Sequence, residues 1–184
     1  MHVKRSCTMR LVLLVTTTAA LLAGCASMSE SECRVADWGR VGLADGARGA
    51  LESRLADYTD DCGKVGVVPD ATAYRKGWDT GIASFCTAAN GWREGMQGHA
   101  GKDAACAGQP GYAAFARYLD AGMQVYRTNA QMERNTSETQ RLQKRLETST
   151  SDDEKRRLRD ELREIDHQQY TLRSRMAQQQ MQGP

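Results

Sequence analysis

Cysteine is the residue type in this chain whose spacing says most about its chemistry. Of six cysteines, four lie beyond residue 25, and their separations are 29, 24 and 20 positions: Cys33, Cys62, Cys86 and Cys106. A structural zinc site or a redox dithiol uses closely spaced pairs such as Cys-x-x-Cys, and these four do not form one. Four thiols in so short a segment therefore predict two disulfides, provided that the chain reaches an oxidising compartment.

The N-terminal residues predict such a compartment. Three basic residues and no acidic one precede Cys25, and an apolar run covers residues 11–22, which is the order of a secretory signal. The ending Leu22-Ala23-Gly24-Cys25 resembles bacterial lipoprotein signals, in which the cysteine is acylated and the chain is cleaved before it. We therefore expect a signal peptide over residues 1–24 and lipidation of Cys25. A transmembrane anchor is the alternative, but the apolar run is shorter than the roughly 20 residues that cross a bilayer.

The residue after the acylated cysteine predicts the membrane. Lipoproteins that carry Asp at this place tend to stay at the inner membrane, and this chain has Ala26. The resemblance therefore implies the periplasmic face of the outer membrane.

Charge and motif content exclude several functions. Removal of residues 1–24 leaves 22 basic and 23 acidic residues, so the mature chain has no excess positive charge for a nucleic-acid partner. Its two remaining histidines, His99 and His167, lie in different regions, and no nucleophile elbow or phosphate loop is present. We predict neither enzymatic activity nor a metal or cofactor.

The sequence alone leaves the pairing of the four thiols open, because four cysteines allow three connectivities. We favour Cys33 with Cys62 and Cys86 with Cys106, since each pair joins sequence neighbours across an expected helical hairpin.

Glycines recur at helical spacing in three stretches, each led by an aromatic residue. The stretches are Trp38 with Gly42, Gly46 and Gly49; Tyr74 with Gly77 and Gly81; and Trp92 with Gly95, Gly98 and Gly101. Glycines three or four apart lie on one side of a helix and let another helix approach closely. For Gly98 and Gly101 we instead expect loop positions with positive φ.

Helix signals outnumber strand signals. Asp70 is placed to cap a helix from Ala71 to about Cys86, and a further helix opens near Pro110. Leu51 and Leu55 are four apart and suggest an earlier helix that ends before residue 60. The β-rich residues 65–68 are interrupted by a glycine and are read as a connector.

The C-terminal tail has a coiled-coil pattern. Its apolar residues form two heptad rows, which are Leu158, Ile165 and Leu172, and Leu162, Gln169 and Met176. The poor helix formers of residues 148–154 predict a break, so we expect an antiparallel hairpin. One long helix with a phase slip is the alternative.

These patterns give a mainly α chain in four parts. They are a signal peptide (1–24), a polar tether (25–32), a disulfide-stapled, Gly-rich helical domain (33–126) and the coiled-coil tail (127–182).

One family resemblance follows from the order of motifs. The motif Trp38-x3-Gly42-x2-Asp45-Gly46, followed in order by Cys62, Asp70, Tyr74, Gly77, Gly81, Cys86, Asn90-Gly91 and Cys106, resembles a family of uncharacterised proteobacterial envelope lipoproteins. It covers about residues 33–126. The resemblance implies the architecture and brings no reaction, ligand or catalytic residue.

Two functional hypotheses remain. The first is an outer-membrane interaction protein in which the tail binds a protein partner or itself. The second is a small-ligand or glycan-binding lipoprotein. Its candidate residues are Trp38, Tyr74, Asn90, Trp92 and Arg93, which would form a saccharide-stacking cleft, although Trp in a small domain is more often core.

Overall fold

A computed structural model describes residues 27–184, so the predicted signal peptide and Cys25 lie outside the described residues. The described part is all-helical, which confirms the predicted fold class. Its α-helices are α1 (Glu30–Val35), α2 (Trp38–Ala47), α3 (Arg54–Gly63), α4 (Ala71–Phe85), α5 (Ala88–Met96), α6 (Tyr112–Thr148) and α7 (Asp152–Gln180), with a 3₁₀ helix at Lys102–Cys106. Within this part, no helix has the length and apolar character needed to span a membrane.

The described residues divide into two compact units. The first unit comprises residues 27–36 and 53–69 and contains α1 and α3; the second comprises residues 37–52 and 70–184 and contains the other helices.

The first unit begins earlier than the predicted tether allows. Residues 30–32 open α1, because Ser29 caps the amide of Glu32 and the Glu32 carboxylate accepts from the backbone of Ser29. The prediction for Leu51 is also wrong. Leu51 is half exposed and lies before α3, which begins at Arg54 and runs to Gly63. The segment before α3 includes the turn after α2, where Gly49 has a φ of 66°.

In the second unit, α2 and α4 pack backbone against backbone. A Cβ atom added at Gly46 would lie 2.3 Å from the Trp78 carbonyl oxygen, and one at Gly81 would lie 2.2 Å from the Leu43 carbonyl oxygen. Atoms this close overlap, so the two helices can meet only where both carry glycine. The predicted glycine faces of α2 and α4 are therefore faces of one contact.

Helices α5 and α6 repeat this arrangement. Added Cβ atoms at Gly95 and Gly122 would lie 2.3 and 2.5 Å from carbonyl oxygens of the opposite helix. The parallel extends to the turn after each first helix. Gly49 meets the Phe85 ring and Gly98, with a φ of 80°, meets the Tyr126 ring. Gly98 is therefore a loop glycine as predicted, and Gly101, with a φ of 81°, is another.

The tail forms the predicted hairpin. Helix α6 ends at Thr148 and α7 begins at Asp152 after the cap Ser151, whose hydroxyl accepts from the Glu154 amide. The Arg145–Glu154 ion pair near the turn and the Thr128–Gln179 hydrogen bond near the base show that the two helices run antiparallel. Helix α6 crosses residue 126 without interruption, so the change in composition there is not a break in the chain's secondary structure.

The heptad seam of α7 faces α6. Leu158 and Leu172 are buried, and the other predicted seam positions are partly buried. On α6, Leu142 is buried, and so are two polar residues at heptad spacing from it, Asn135 and Thr128, which the sequence pattern did not identify.

Candidate functional site

All four cysteines of the described chain are in disulfides. Cys33 pairs with Cys62 and Cys86 with Cys106, with Cα atoms 5.4 and 5.6 Å apart. This is the connectivity favoured from sequence order. Each bond lies within one unit, so each unit has its own covalent staple.

Asp45, the acidic residue of the sequence motif, lies fully buried between α2 and α4. Its carboxylate accepts hydrogen bonds from the Tyr74 hydroxyl at 3.0 Å and from the Arg48 guanidinium at 2.7 Å. Buried carboxylates require such donors, because an unpaired buried charge is strongly destabilising. Asp45 follows this rule beside Gly46, where the helices touch. Asp45, Gly46 and Tyr74 are therefore parts of one interior contact.

A second buried acid occupies the corresponding place beside Gly95. The Glu94 carboxylate is hydrogen-bonded to His99 Nδ1 at 2.8 Å, and its side chain is 11% exposed. Neither the sequence motif nor the spacing of charges identified Glu94, because its partner lies beyond the end of α5. The one sequence signal for Glu94 was its position directly before Gly95, which matches the position of Asp45 directly before Gly46.

The remaining polar candidates hold the start of α5. Asn90 is buried, and its side-chain amide donates to the Phe85 carbonyl oxygen at 2.9 Å. Arg93 donates to the Asn90 side-chain oxygen. These bonds engage Asn90 and Arg93 with protein atoms.

The aromatic candidates do not form one platform. Tyr74 is fully buried and Trp38 is 9% exposed, both in the α2–α4 pair. Trp92 lies on α5 and is partly covered by the C-terminal end of the chain, where an added Cβ at Gly183 would lie 3.3 Å from its ring. The saccharide-stacking hypothesis needs outward-facing rings, and this burial gives it no support at Trp38 or Tyr74.

A shallow groove of about 180 Å³ lies between the 3₁₀ region and α6. Leu119 and Met123 contribute apolar surface, and the charged side chains that line it are Asp103, Asp120 and Arg127. Sequence reasoning did not identify Asp103, Asp120 or Arg127 as neighbours. Asp120, Met123 and Arg127 are spaced three and four apart on one face of α6. Asp103 is distant from them in sequence, and only the tertiary structure brings it to the groove.

The first described residue is attached to α3. The Ser27 amide and hydroxyl both donate to one oxygen of Asp61, at 2.6 and 2.7 Å. The other oxygen accepts from Lys64 Nζ at 2.6 Å. Met28 Sδ lies 3.9 Å from Cys62 Sγ. Residues 27 and 28 are therefore held on the first unit.

This attachment predicts a pH dependence. The hydrogen bond from Lys64, followed by those from Ser27, lowers the pKa of Asp61 from 3.8 to about 2. A depressed folded-state pKa means that the stabilisation is complete above the unfolded value and is lost as the pH falls through about 2. We expect the NMR shift of the Ser27 amide to titrate with a midpoint near pH 2, and this transition to vanish in Asp61→Asn. A Ser27 amide shift that does not titrate in this range, or that titrates in the same way in Asp61→Asn, would show that Ser27 is not bound to Asp61.

Comparison with known families bears on the part of the chain that carries the glycine contacts. Residues 37–124 match the model of a protein family of unknown function, DUF2799. The match supports an uncharacterised domain family for this segment, as the sequence resemblance implied. No curated protein and no solved structure matches the chain.

The ends of the segment that matches DUF2799 coincide with features of the fold. It starts at Asp37, the N-cap of α2, and ends two residues after Gly122, the last of the contact glycines. Both glycine-packed pairs fall inside it, together with Asp45 and Glu94. Most of the α6–α7 hairpin lies outside the DUF2799 match.

Proposed function

We propose that this protein is a non-enzymatic lipoprotein of the bacterial envelope, anchored by acylated Cys25 at the periplasmic face of the outer membrane. Its helical hairpin is the arm that binds a protein partner. The anchor is supported by the Leu-Ala-Gly-Cys sequence at the end of the predicted signal. The interaction role is supported by the construction of the hairpin, and above all by the unbroken passage of α6 from the glycine-packed pair into the arm.

Three contacts make the arm rigid at its base. Gly122 fixes α6 against α5, Thr128 bonds to Gln179, and Gly183 packs on the Trp92 ring. Beyond Tyr126, α6 continues for 22 residues to Thr148, or about 33 Å at 1.5 Å per residue. A tail that served only to link the domain to something else would not need this bracing.

The arm's apolar seam is filled from within the chain. Leu158 is 2% exposed and Leu142 is 1% exposed. The seam is therefore engaged in the folded hairpin, and self-association through it would require the hairpin to open. We accordingly favour a different protein as the partner, bound through the charged outer surface near the turn, where Lys144 and Arg159 are exposed.

The test is an arm shortened without losing its base. Deletion of residues 136–142 and 161–167 removes one heptad from each helix, keeps the seam in phase and keeps the Thr128–Gln179 and Gly183–Trp92 contacts. The arm becomes about 10 Å shorter. A photocrosslinking residue at Lys144 in the full-length lipoprotein is expected to give partner adducts in cells. The shortened variant keeps Lys144 and Arg159 but holds them about 10 Å nearer the base of the arm. It is therefore expected to lose adducts with a partner that only the full-length arm reaches.

The matched control carries the photocrosslinker at Thr80, an exposed position of α4. The same adducts from Thr80 and Lys144 would contradict an arm-borne function. Unchanged adducts from the shortened arm would contradict a requirement for the arm's full length. The anchor is tested separately by palmitate labelling with Cys25→Ala, and labelling that persists in that variant would contradict lipidation at Cys25.

A further inference from the structure

The first described residues lie very close in sequence to the predicted lipid. Only Ala26 separates Cys25 from Ser27, and Ser27 is bound to Asp61 through two hydrogen bonds. Two residues span at most about 7 Å when fully extended. An acyl group on Cys25 would therefore be joined to the bound Ser27 by no more than about 7 Å of chain.

The first unit also exposes apolar side chains. Val35 and Val68 are each 82% exposed, the highest values among the large apolar residues of the described chain. Val35 follows Cys33 by two residues, and the Val67 amide donates to the Cys62 carbonyl oxygen at 3.0 Å. Both valines are thus a few residues from the Cys33–Cys62 disulfide, whose Cα atoms are 5.4 Å apart.

The charges of the first unit do not provide an alternative way of binding a membrane. The first unit has three basic and five acidic residues, so it offers no cationic surface for an anionic partner. Apolar residues held next to an acyl anchor need only modest affinity to enter the bilayer, because the anchor already supplies a high local concentration.

We propose that the first unit lies against the membrane, with Val35 and Val68 inserted in the lipid. This inference rests on the proposed lipidation of Cys25 and adds to it a defined membrane-facing surface. Because insertion is apolar, it is independent of anionic lipid and of salt. In this arrangement the unit contacts the bilayer surface directly and is not held away from it by a flexible linker.

The test uses the acylated full-length protein in vesicles of brominated phosphatidylcholine, whose chains quench nearby tryptophan. Val35→Trp and Val68→Trp are compared with the parent protein, which supplies the signal of its own three tryptophans. We expect the added fluorescence to be quenched about twofold or more at both positions, at low and high salt. The control is the same set of proteins in vesicles of unbrominated phosphatidylcholine, in which no quenching is expected.

The outcomes separate the two proposals. Protein that stays with the vesicles but is unquenched at both valine positions would overturn the membrane-facing surface alone. Protein that carries no acyl chain and does not stay with the vesicles would overturn the anchor, and this inference with it. Disulfide mapping of each variant by mass spectrometry verifies that Cys33 and Cys62 remain paired.

Discussion

Gly81→Ala is expected to separate α2 from α4. Its new methyl group would lie 2.2 Å from the Leu43 carbonyl oxygen and 2.6 Å from the Ala47 nitrogen, both backbone atoms that cannot rotate away. Overpacking of a core costs about 1–3 kcal/mol, and a backbone obstacle puts this substitution at the upper end, about 3 kcal/mol. The better helix propensity of alanine offsets about 1 kcal/mol of this at most. We expect the thermal midpoint, measured by circular dichroism, to fall by about 10 °C.

Gly63→Ala is the matched control. Gly63 is also helical, but no atom lies within 4 Å of an added Cβ there. The same substitution should be neutral or slightly stabilising at that position. Equal effects at Gly63 and Gly81 would mean that the loss comes from glycine's flexibility and not from helix contact, which would contradict close packing of α2 on α4.

Loss of the Cys33–Cys62 bond is expected to unfold the first unit selectively. The bond closes a 29-residue separation, and the loop-entropy model assigns about 3 kcal/mol to such a closure. The buried residues of this unit, within the described part of the chain, are Tyr58, Pro69 and the two bonded cysteines. With so little other core, Cys33→Ala with Cys62→Ala should leave α1 and α3 without sufficient support.

Hydrogen exchange measured by mass spectrometry locates the effect. Protection should fall in α1 and α3 and persist in α4, which belongs to the second unit. The parallel variant, Cys86→Ala with Cys106→Ala, should instead weaken protection around α5. Loss of protection in all helices after removal of Cys33–Cys62 would contradict separate staples for the two units.

Local sequence patterns were sufficient to predict much of the fold. The break near Ser151 and the inward leucines of α7 are determined by neighbours within a few turns, which is the range that a sequence pattern describes. The glycine spacing also predicted close helix contacts, and Gly98 was correctly assigned to a loop. The first bounds of α3 were wrong because Leu51 and Leu55 satisfy a helical spacing that the turn at Gly49 does not permit.

Contacts between distant residues could not be predicted in this way. Asp45 and Tyr74 are 29 positions apart, and Ser27 and Asp61 are 34 positions apart. The residues next to Asp45 in sequence do not indicate that its carboxylate is buried. Ser27 lies in a segment whose composition is typical of a linker. These pairings depend on how helices are stapled and crossed, which only the tertiary structure specifies.

The continuity of α6 also has a mechanical consequence. Gly122, which is locked against α5, and Thr148, at the far end of the hairpin, belong to one helix and are separated by about 39 Å. The hairpin can thus act as a lever that pivots at the Gly122 contact, where the helix backbones are too close to move nearer to one another. A pull on its tip would be resisted by the backbone of the α5–α6 pair and by the Cys86–Cys106 bond at its end, so load on the arm would reach the domain instead of being absorbed by a hinge.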